Sequence, residues 1–360
     1  MRHAVAFPAE VQLNITQMID ITRHAERAGL DGVWVAEGRG GEAFATLAAL
    51  LMSTSRIRVG AGILPVFNRS PWLVAMGANV LEELGADRFL LGLGPGHRAV
   101  VRDRHGLTYE RPLARIEETI DIVRAALAGD VVNYSGTVFN LRGAQLSHPA
   151  PDSRVPIYLA ATGPQALRLA GRAADGVILI LASKAIIRSA LSEVHAAAVE
   201  AGRQPSAIAA STYVFTCVHD DRERARDASR ETLIYYGRLN TYRKIFSTAG
   251  FEREAHALER AWQAGTPEAA APAIGDAMID AFTASGNAGD IADALLRLCD
   301  SGLTELTAYP YPAIGQSATE AFEATVDAVA RAAKATTTPA TTPTATSKEE
   351  PAHARNAPQL

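Results

Sequence analysis

The sequence predicts an α/β protein, a (β/α)8 TIM barrel with insertion segments. Eight short strand-like segments alternate with segments whose apolar residues recur at helical spacing. Several strand segments are continuous apolar runs, as at 176–181, and such runs suit a parallel sheet that is covered on both faces. Eight strand–helix units in a chain of 360 residues favour a closed barrel over a doubly wound sheet.

The elements are expected in strict alternation along the chain. The strands are predicted at residues 2–7, 32–36, 57–64, 88–93, 155–160, 176–181, 209–218 and 303–309. The helices are predicted at 15–28, 42–53, 72–84, 113–127, 165–171, 185–201, 222–236 and 291–299, and a helix at 318–333 closes the series. Because parallel barrel strands end at one common rim, we expect the functional residues where these strands end.

Two segments interrupt the repeat, and a third follows it. Residues 130–146 contain Asn133-Tyr134-Ser135-Gly136 and predict an inserted hairpin. Residues 242–286 form a long insertion that could be a lid, a substrate wall, surface decoration or a dimer contact. Residues 335–358 contain no Leu, Ile, Val or aromatic residue, so a barrel over 1–333 and a disordered Ala/Thr/Pro-rich tail over 334–360 are expected.

Composition narrows the function classes. The net charge is −4, and no Lys/Arg run is interleaved with aromatic residues, so nucleic acid is an unexpected partner. Cys217 and Cys299 lie in apolar segments and are expected as buried small hydrophobes, with no spacing for a metal. The N-terminal segment is too quickly polar for a secretory signal, and no apolar stretch approaches membrane-spanning length, so a cytoplasmic protein is expected.

The turn after the fifth predicted strand is the most informative segment. Thr162 offers a capping hydroxyl, Gly163 a flexible residue, and Pro164 a ring that suits the first position of a helix. Unpaired N–H groups and the dipole at a helix N-terminus stabilise an anion, which favours a phosphate-bearing cofactor. An ordinary strand-to-helix loop is the alternative.

Two further strand ends carry candidates. Glu37 follows the second strand, where its carboxylate could be a proton donor, a base, a hydrogen-bond acceptor or simply an exposed loop residue. Gly60 and Gly62 lie inside the third strand, where glycine indicates a bulge, a close approach of the backbone to a flat ligand, or core packing.

The fourth strand ends in a glycine-rich run that is not a dinucleotide fingerprint. The pattern Gly-x-Gly-x-x-Gly would need a glycine where His97 stands, and no helix is expected to begin there. A metal-dependent barrel hydrolase is also poorly supported, because the first strand around His3 lacks paired histidines.

Taken together, the strand ends resemble those of the bacterial luciferase-like superfamily. The resemblance covers 1–333 and is carried by the glycine-bearing third strand followed by NRSP (68–71), then LGADRFLLGLGPG (84–96), LAATGP (159–164) and AGRAADGV (170–177). Within this superfamily the chain most resembles the deazaflavin (coenzyme F420)-dependent branch, in particular methylenetetrahydromethanopterin reductase-like proteins.

The resemblance implies a (β/α)8 barrel, a small-molecule substrate, a homodimer and a set of cofactor-binding residues. Gly62 and Ile63 would form a non-prolyl cis peptide that presses on one face of the tricyclic ring. The backbone at three positions would approach the ring and substrate, and a turn of four residues would hold the phosphate. These are Gly94, Pro95 and Gly96 near the ring, and Ala161, Thr162, Gly163 and Pro164 at the phosphate.

The chain departs from the family pattern where the substrate would lie. Glu37-Gly38 stands where Asp-His or a similar polar pair is usual, and His97 stands where the reductases have an acidic residue. The first strand ends in Phe7-Pro8 without the acidic residue of the reductases. We expect Glu37 and His97 at the acid and base positions, although a rim histidine bonded only to solvent is an alternative.

The function expected from the resemblance is hydride transfer between carbon 5 of the deazaflavin and an organic substrate with an activated C=C, C=N or C=O group. An FMN-dependent monooxygenase of the same superfamily is the first alternative, because the two cofactors share a ring outline and a phosphate. A catalytically silent deazaflavin-binding protein is the second.

Overall fold

The chain folds into a closed parallel barrel surrounded by helices. The computed structural model describes residues 1–10, 12–38, 41–148 and 154–337. Eight parallel strands pair in the order β1-β2-β3-β4-β7-β8-β9-β11, and β11 pairs with β1 to close the ring. The predicted (β/α)8 TIM barrel is confirmed.

The elements in chain order are β1 (Arg2–Phe7), α1 (Ile15–Ala28), β2 (Gly32–Val35), α2 (Ala43–Ser53), β3 (Arg58–Pro65), α3 (Pro71–Gly85), β4 (Phe89–Gly94), α4 (Arg98–Asp103), α5 (Pro112–Leu127), β5 (Val132–Ser135), β6 (Asn140–Ala144), β7 (Ile157–Ala160), α6 (Pro164–Ala173), β8 (Gly176–Ile180), α7 (Lys184–Glu200), β9 (Ala209–Val218), α8 (Arg222–Tyr236), α9 (Asn240–Thr248), α10 (Glu252–Gln263), α11 (Asp276–Phe282), β10 (Thr283–Gly286), α12 (Ala288–Leu296), β11 (Glu305–Pro310) and α13 (Ala318–Thr337). Short 3-10 helices occupy Pro205–Ala207 and Pro267–Ala273.

All eight predicted strands are present, and no strand end differs by more than two residues from its predicted position. The structure also contains elements outside the predicted series, among them α4 and β10. The prediction that no helix begins after the fourth strand is wrong, because α4 begins at Arg98. The strand β10 extends the sheet beside the upper half of β9, within a segment that was predicted as an insertion.

The barrel interior is built from large side chains that face glycines. A Cβ on Gly60 would overlap the ring of Trp34, and a Cβ on Gly176 would overlap the ring of Tyr158. Trp34 and Tyr158 meet edge to face at 5.2 Å between ring centroids. Below them, the buried carboxylate of Glu305 accepts a hydrogen bond from the Trp34 indole at 2.8 Å. The interior is therefore a packed core, and a ligand can bind only above it.

The predicted hairpin is present as the antiparallel pair β5 and β6. Its turn is docked on α5 by the buried side chain of Glu118, which accepts hydrogen bonds from the backbone N–H groups of Thr137, Val138 and Phe139 at 2.8–3.1 Å. A Cβ on Gly136 would overlap this carboxylate, so the glycine permits the close approach.

The segment after α8 covers the mouth of the barrel. Phe246 on α9, Leu258 on α10 and Phe282 on α11 are buried in the same apolar cluster as the inward-facing Phe215 of the barrel. The final helix α13 packs on α1 and β1 and continues four residues beyond its predicted end, to Thr337. The remainder of the predicted tail, 338–360, lies outside the described residues. No helix in the described ranges is both long and apolar enough to cross a membrane.

Candidate active site

The predicted site residues meet at the rim where the parallel strands end. Glu37 follows β2, Gly62 and Ile63 lie near the end of β3, Gly94 ends β4, and the turn from Ala161 follows β7. These strands are consecutive neighbours in the barrel order, so their ends form one continuous arc.

A bulge in β3 forms the centre of this arc. Residues 62 and 63 of β3 together face the single residue Gly92 of β4, and the peptide bond between Gly62 and Ile63 is cis, as predicted. The carbonyl of Gly62 points inward and accepts a hydrogen bond from the Tyr213 hydroxyl at 3.3 Å. The carbonyl of Ile63 accepts one from the backbone N–H of Glu37 at 3.2 Å. One carbonyl of the bulge is therefore held from across the barrel by β9, and the other by the end of the neighbouring strand β2.

The glycines of β4 let its backbone lie against this bulge. A Cβ on Gly92 would overlap the carbonyl oxygen of Ala61, and a Cβ on Gly94 would come within 3.1 Å of the Ile63 side chain. Beyond the strand, Pro95 and Gly96 are half-buried, and Gly96 has φ +65°, which favours glycine. The backbone at 94–96 and the half-exposed Ile63 thus form a shelf that is free of bulky polar side chains.

The turn after β7 opens toward solvent at the N-terminus of α6. Pro164 is the first residue of α6, as predicted, and Gly163 is the N-cap. The predicted capping hydroxyl of Thr162 is wrong, because proline at the first helical position makes Gly163 the cap and leaves Thr162 one residue outside the helix. No side chain caps α6, and a Cβ on Gly163 would meet nothing within 4 Å. The first N–H groups of the helix therefore remain available to an anion.

A cavity of about 290 Å³ adjoins this turn. Its walls include Leu167 of α6, Ile186 of α7 and Ile245 of α9, and Thr162 and Pro164 stand at its rim. Its lining contains no Lys or Arg, and Glu193 is its charged residue. An anion at this turn would therefore be attracted by the backbone N–H groups and the helix dipole, not by a cationic side chain of this lining.

Glu37 is buried and ionically paired. Arg69 donates to both of its carboxylate oxygens at 2.7 and 2.6 Å, and Asn68 donates to one of them at 2.9 Å. The side chain of Glu37 is 7% exposed and that of Arg69 12%. The side-chain oxygen of Asn68, Oδ1, is buried without a hydrogen-bond partner in the structure. The carboxylate of Glu37 therefore acts as a hydrogen-bond acceptor in this group.

His97 stands on the opposite side of the shelf. It is the N-cap residue of α4, but its side chain does not cap the helix and is exposed. Its ring lies 6.4 Å from that of Tyr242, which belongs to α9 in the covering segment. The imidazole is thus placed between the shelf and the covering helices.

A group of aromatic residues that are far apart in the sequence lies beneath the covering segment. Tyr309 stacks on Tyr213 at 5.2 Å, and the hydroxyls of Tyr236 and Tyr311 are hydrogen-bonded at 2.8 Å. We call Tyr213, Tyr236, Tyr242, Tyr309 and Tyr311 the tyrosine cluster. Tyr309 and Tyr311 stand together at the end of β11, whereas Tyr236 and Tyr242 come from α8 and α9, whose approach to the rim has no sequence signal.

Burial keeps these phenols neutral. Desolvation raises the pKa of Tyr213, Tyr236, Tyr309 and Tyr311 well above its ordinary value. The carboxylate of Glu10, three residues beyond β1, contributes further to this rise for Tyr236, Tyr309 and Tyr311. Glu10 therefore places a negative charge beside the cluster, although the first strand itself ends without an acidic residue. The position of Glu10, beyond the strand end, gives no sequence signal of this contribution.

The described rim fits a flat ring with a phosphate-bearing arm. The shelf offers backbone and the Ile63 side chain to a ring, the unfilled space at Gly163 offers N–H groups to a phosphate, and Asn68 Oδ1 offers an unpaired acceptor. In the described ranges, no group of three or more His, Cys, Asp or Glu side chains is arranged to hold a metal ion.

Sequence comparison identifies relatives of this chain. The sequence profile of the luciferase-like monooxygenases matches residues 1–305. The 5,10-methylenetetrahydromethanopterin reductase of Archaeoglobus fulgidus is 30% identical over 290 residues, which cover 79% of this chain and 86% of the relative. The reductase of the same name from Methanolobus tindarius is 29% identical over 294 residues, covering 79% and 87%.

Solved structures share the fold. The coenzyme F420-dependent tetrahydromethanopterin reductase of Methanopyrus kandleri superimposes with a TM-score of 0.79 at 21% identity, covering 92% of this chain and 97% of that one. An F420-dependent secondary alcohol dehydrogenase, solved with an F420–acetone adduct, gives a TM-score of 0.73 at 19% identity, with coverage of 92% and 97%.

Proposed function

Because this chain belongs to the luciferase-like monooxygenase family, we propose that it is a coenzyme F420-dependent oxidoreductase that transfers hydride between carbon 5 of the deazaflavin and a small organic substrate. The observation that carries the proposal is the arrangement of the β3 bulge and the uncapped N-terminus of α6 on one barrel rim. The two methylenetetrahydromethanopterin reductases match 79% of the chain at 29–30% identity, and the Methanopyrus kandleri reductase with the same fold is coenzyme F420-dependent, which favours F420 over FMN.

Each part of the rim has a distinct task in this function. The phosphate is bound by the backbone N–H groups of the turn that follows Ala161 and Thr162. The N–H groups in the first turn of α6, which follows the N-cap Gly163 and begins at Pro164, bind it as well. The bulge at Gly62 and Ile63 supports one face of the ring. The backbone at Gly94, Pro95 and Gly96 borders the ring and the substrate. When bound, the deazaflavin supplies the hydride chemistry, and the protein supplies orientation and electrostatics.

The substrate lies on the open face of the ring, between Glu37, His97 and the tyrosine cluster. Glu37 is held as a hydrogen-bond acceptor by Arg69, so it orients a donor group of the substrate. His97 is exposed at the other side of the shelf and moves the proton that accompanies hydride transfer to a C=O or C=N group. The neutral, aromatic wall of the cluster favours an uncharged or weakly polar substrate over a phosphorylated one.

Cofactor titration tests this function. Purified protein is titrated with F420 and with FMN, and binding is followed by cofactor fluorescence. We expect F420 to bind at least about tenfold more tightly than FMN. Protein loaded with reduced F420 is then mixed with a panel of C=C, C=N and C=O acceptors without oxygen, and cofactor oxidation is followed by absorbance. Tight FMN binding with NAD(P)H-driven oxygen uptake would instead establish a monooxygenase, and binding without oxidation by any acceptor would establish a silent binding protein.

We also propose that the protein is a homodimer. Leu73, Met76, Val80 and Leu84 are exposed at spacings of three and four residues and form an apolar stripe along α3. A stripe of this kind is self-complementary about a two-fold axis. Sedimentation of the parent and of Val80→Lys tests this, with a dimer expected for the parent and a monomer for the variant.

The free thiols of Cys217 and Cys299 support a reducing, cytoplasmic location.

A further inference from the structure

The β3 bulge rests on two large side chains inside the barrel. A Cβ on Gly62 would overlap the hydroxyl of Tyr213 and would come within 3.0 Å of the Trp34 Cβ. Both side chains therefore touch the underside of the bulge, and nothing but glycine fits above them. The half-exposed side chain of Ile63 lies beside Gly94, where the ring is proposed to bind.

Trp34 is locked from below. Its indole N–H donates to Glu305 Oε1 at 2.8 Å, and the second oxygen of Glu305 accepts from Arg58 at 2.6 Å. Glu305 is 1% exposed. A buried charge-assisted hydrogen bond fixes both of its partners. The Trp34 side chain therefore has one position available and does not move when a ring lies on the bulge.

Tyr213 is locked from the side. It is buried, its ring is stacked on Tyr309 at 5.2 Å with an interplanar angle of 14°, and its hydroxyl donates to the Gly62 carbonyl at 3.3 Å. Burial keeps the phenol protonated, because desolvation raises its pKa well above the ordinary value. The hydroxyl is thus a permanent donor to the bulge from the side opposite to the ring.

We propose that Tyr213 is a positioning residue for the cofactor: by holding the Gly62 carbonyl, it fixes the height and direction of the bulge on which the ring lies. The proposal rests on the proposed function for the presence of a ring, but not on which ring is bound. It assigns Tyr213 a task that the other members of the tyrosine cluster do not share, because its hydroxyl donates to the bulge itself.

The test compares Tyr213→Phe with Tyr158→Phe. Both remove one phenolic hydroxyl from the barrel interior, but the Tyr158 ring packs on Trp34 and Gly176 and its hydroxyl interacts with Arg58, whereas that of Tyr213 donates to the bulge. Three quantities are measured on the full chain: hydrogen exchange of the backbone at 62–64 without cofactor, the Kd for F420 and for FMN, and the induced circular dichroism of the bound ring. Thermal unfolding of both variants serves as the measure of a purely structural effect.

For Tyr213→Phe we expect faster exchange at 62–64, a Kd raised about three- to tenfold, and an altered induced dichroism band, as the loss of one buried hydrogen bond would give. Tyr158→Phe should leave all three unchanged at a comparable loss of Tm. The proposal is overturned if Tyr213→Phe keeps the parent exchange, Kd and dichroism, or if Tyr158→Phe changes them equally. If the parent binds FMN and not F420, the proposed function fails, and the same comparison made with FMN still decides the role of Tyr213.

Discussion

The guanidinium of Arg69 donates from Nη1 to both carboxylate oxygens of Glu37, at 2.7 and 2.6 Å. Arg69 also pairs with Glu42, the N-cap residue of α2, so one arginine links the end of β2 to the start of the next helix. Because Arg69 donates to both oxygens of Glu37, this carboxylate suits the acceptor role that we propose for it, and His97 suits the proposed proton transfer at the rim. The two predicted acid and base positions are therefore unequal in chemistry.

Replacement of Glu37 by Gln should lower turnover at least about tenfold with little change in the Kd for the cofactor. The amide cannot balance the buried charge of Arg69 or accept from the same donors, so the substrate loses an oriented acceptor. We also expect a loss of about 1–3 kcal/mol in the free energy of unfolding. Steady-state kinetics, cofactor titration and urea unfolding measure the three effects.

The matched control is Glu42→Gln, which removes the other carboxylate partner of Arg69. Glu42 is 53% exposed and its Gln variant keeps a capping oxygen, so turnover should remain near the parent value and stability should fall by less than about 1 kcal/mol. Parent-like turnover in Glu37→Gln would remove Glu37 from the mechanism.

Replacement of His97 by Ala should lower turnover about 100-fold and leave Tm unchanged, because the side chain is exposed and does not cap α4. Added imidazole should restore part of the turnover if the ring moves a proton. His105→Ala, at an exposed position soon after α4, is the control and should behave like the parent. If His97→Ala were fully active, or were inactive without any rescue, the proton-transfer role would be refuted.

The strand ends were predictable from sequence because each barrel strand is an apolar run followed by a turn. The bulge could be anticipated from the glycines of β3. The structure gives the reason for one of them, because only a residue without a Cβ fits at position 62, above Tyr213 and Trp34. The helix α4 escaped prediction because its six residues are too few to show an apolar period. The strand β10 escaped because Thr283–Gly286 has no large apolar residue.

The partners of the site residues could not be predicted in the same way. Tyr213 and Gly62 are 151 residues apart, and Tyr236 and Tyr311 are 75 apart, so their contacts depend on barrel closure. The pairing of Glu37 with Arg69 likewise joins two loops on neighbouring strands. Spacing along a chain identifies which residues reach a rim, but the side chains that meet there are decided by strand register and packing.

Replacement of Gly163 by Asp should abolish cofactor binding while it stabilises the protein. Gly163 is the N-cap of α6 in an extended conformation, and a Cβ there meets nothing within 4 Å, so the new side chain fits. An aspartate at an N-cap accepts from the first N–H groups and favours the helix dipole, which should raise stability by about 0.5–1 kcal/mol relative to glycine. The same carboxylate occupies the anion site and repels a phosphate.

Gly163→Asn separates the two effects, because asparagine caps the helix without a negative charge. We expect the Kd for the cofactor to rise more than about 100-fold in Gly163→Asp and clearly less in Gly163→Asn, with Tm equal to or above the parent value in both. Fluorescence titration and thermal unfolding measure this. A parent-like Kd in Gly163→Asp would show that the phosphate binds elsewhere.

The last prediction concerns the anchor of the hairpin, Glu118, and it fixes a sign for the pH dependence of stability. Desolvation by itself would raise the pKa of Glu118, but hydrogen bonds from the Thr137 hydroxyl and from three backbone N–H groups outweigh it, so the pKa lies below the ordinary value of 4.5. A carboxyl group with a lowered pKa in the folded state stabilises that state above its unfolded pKa. This contribution is lost as the pH falls below 4.5 through the folded pKa.

Glu118→Gln should therefore lower the free energy of unfolding by about 1–3 kcal/mol at neutral pH, and the difference from the parent should shrink in acid. Glu117→Gln, at the neighbouring half-exposed position that pairs with Arg172, should cost less than about 1 kcal/mol. Urea unfolding of the three proteins across this pH range measures both effects, and a difference that stays constant into acid would mean that Glu118 is not ionised in the folded protein.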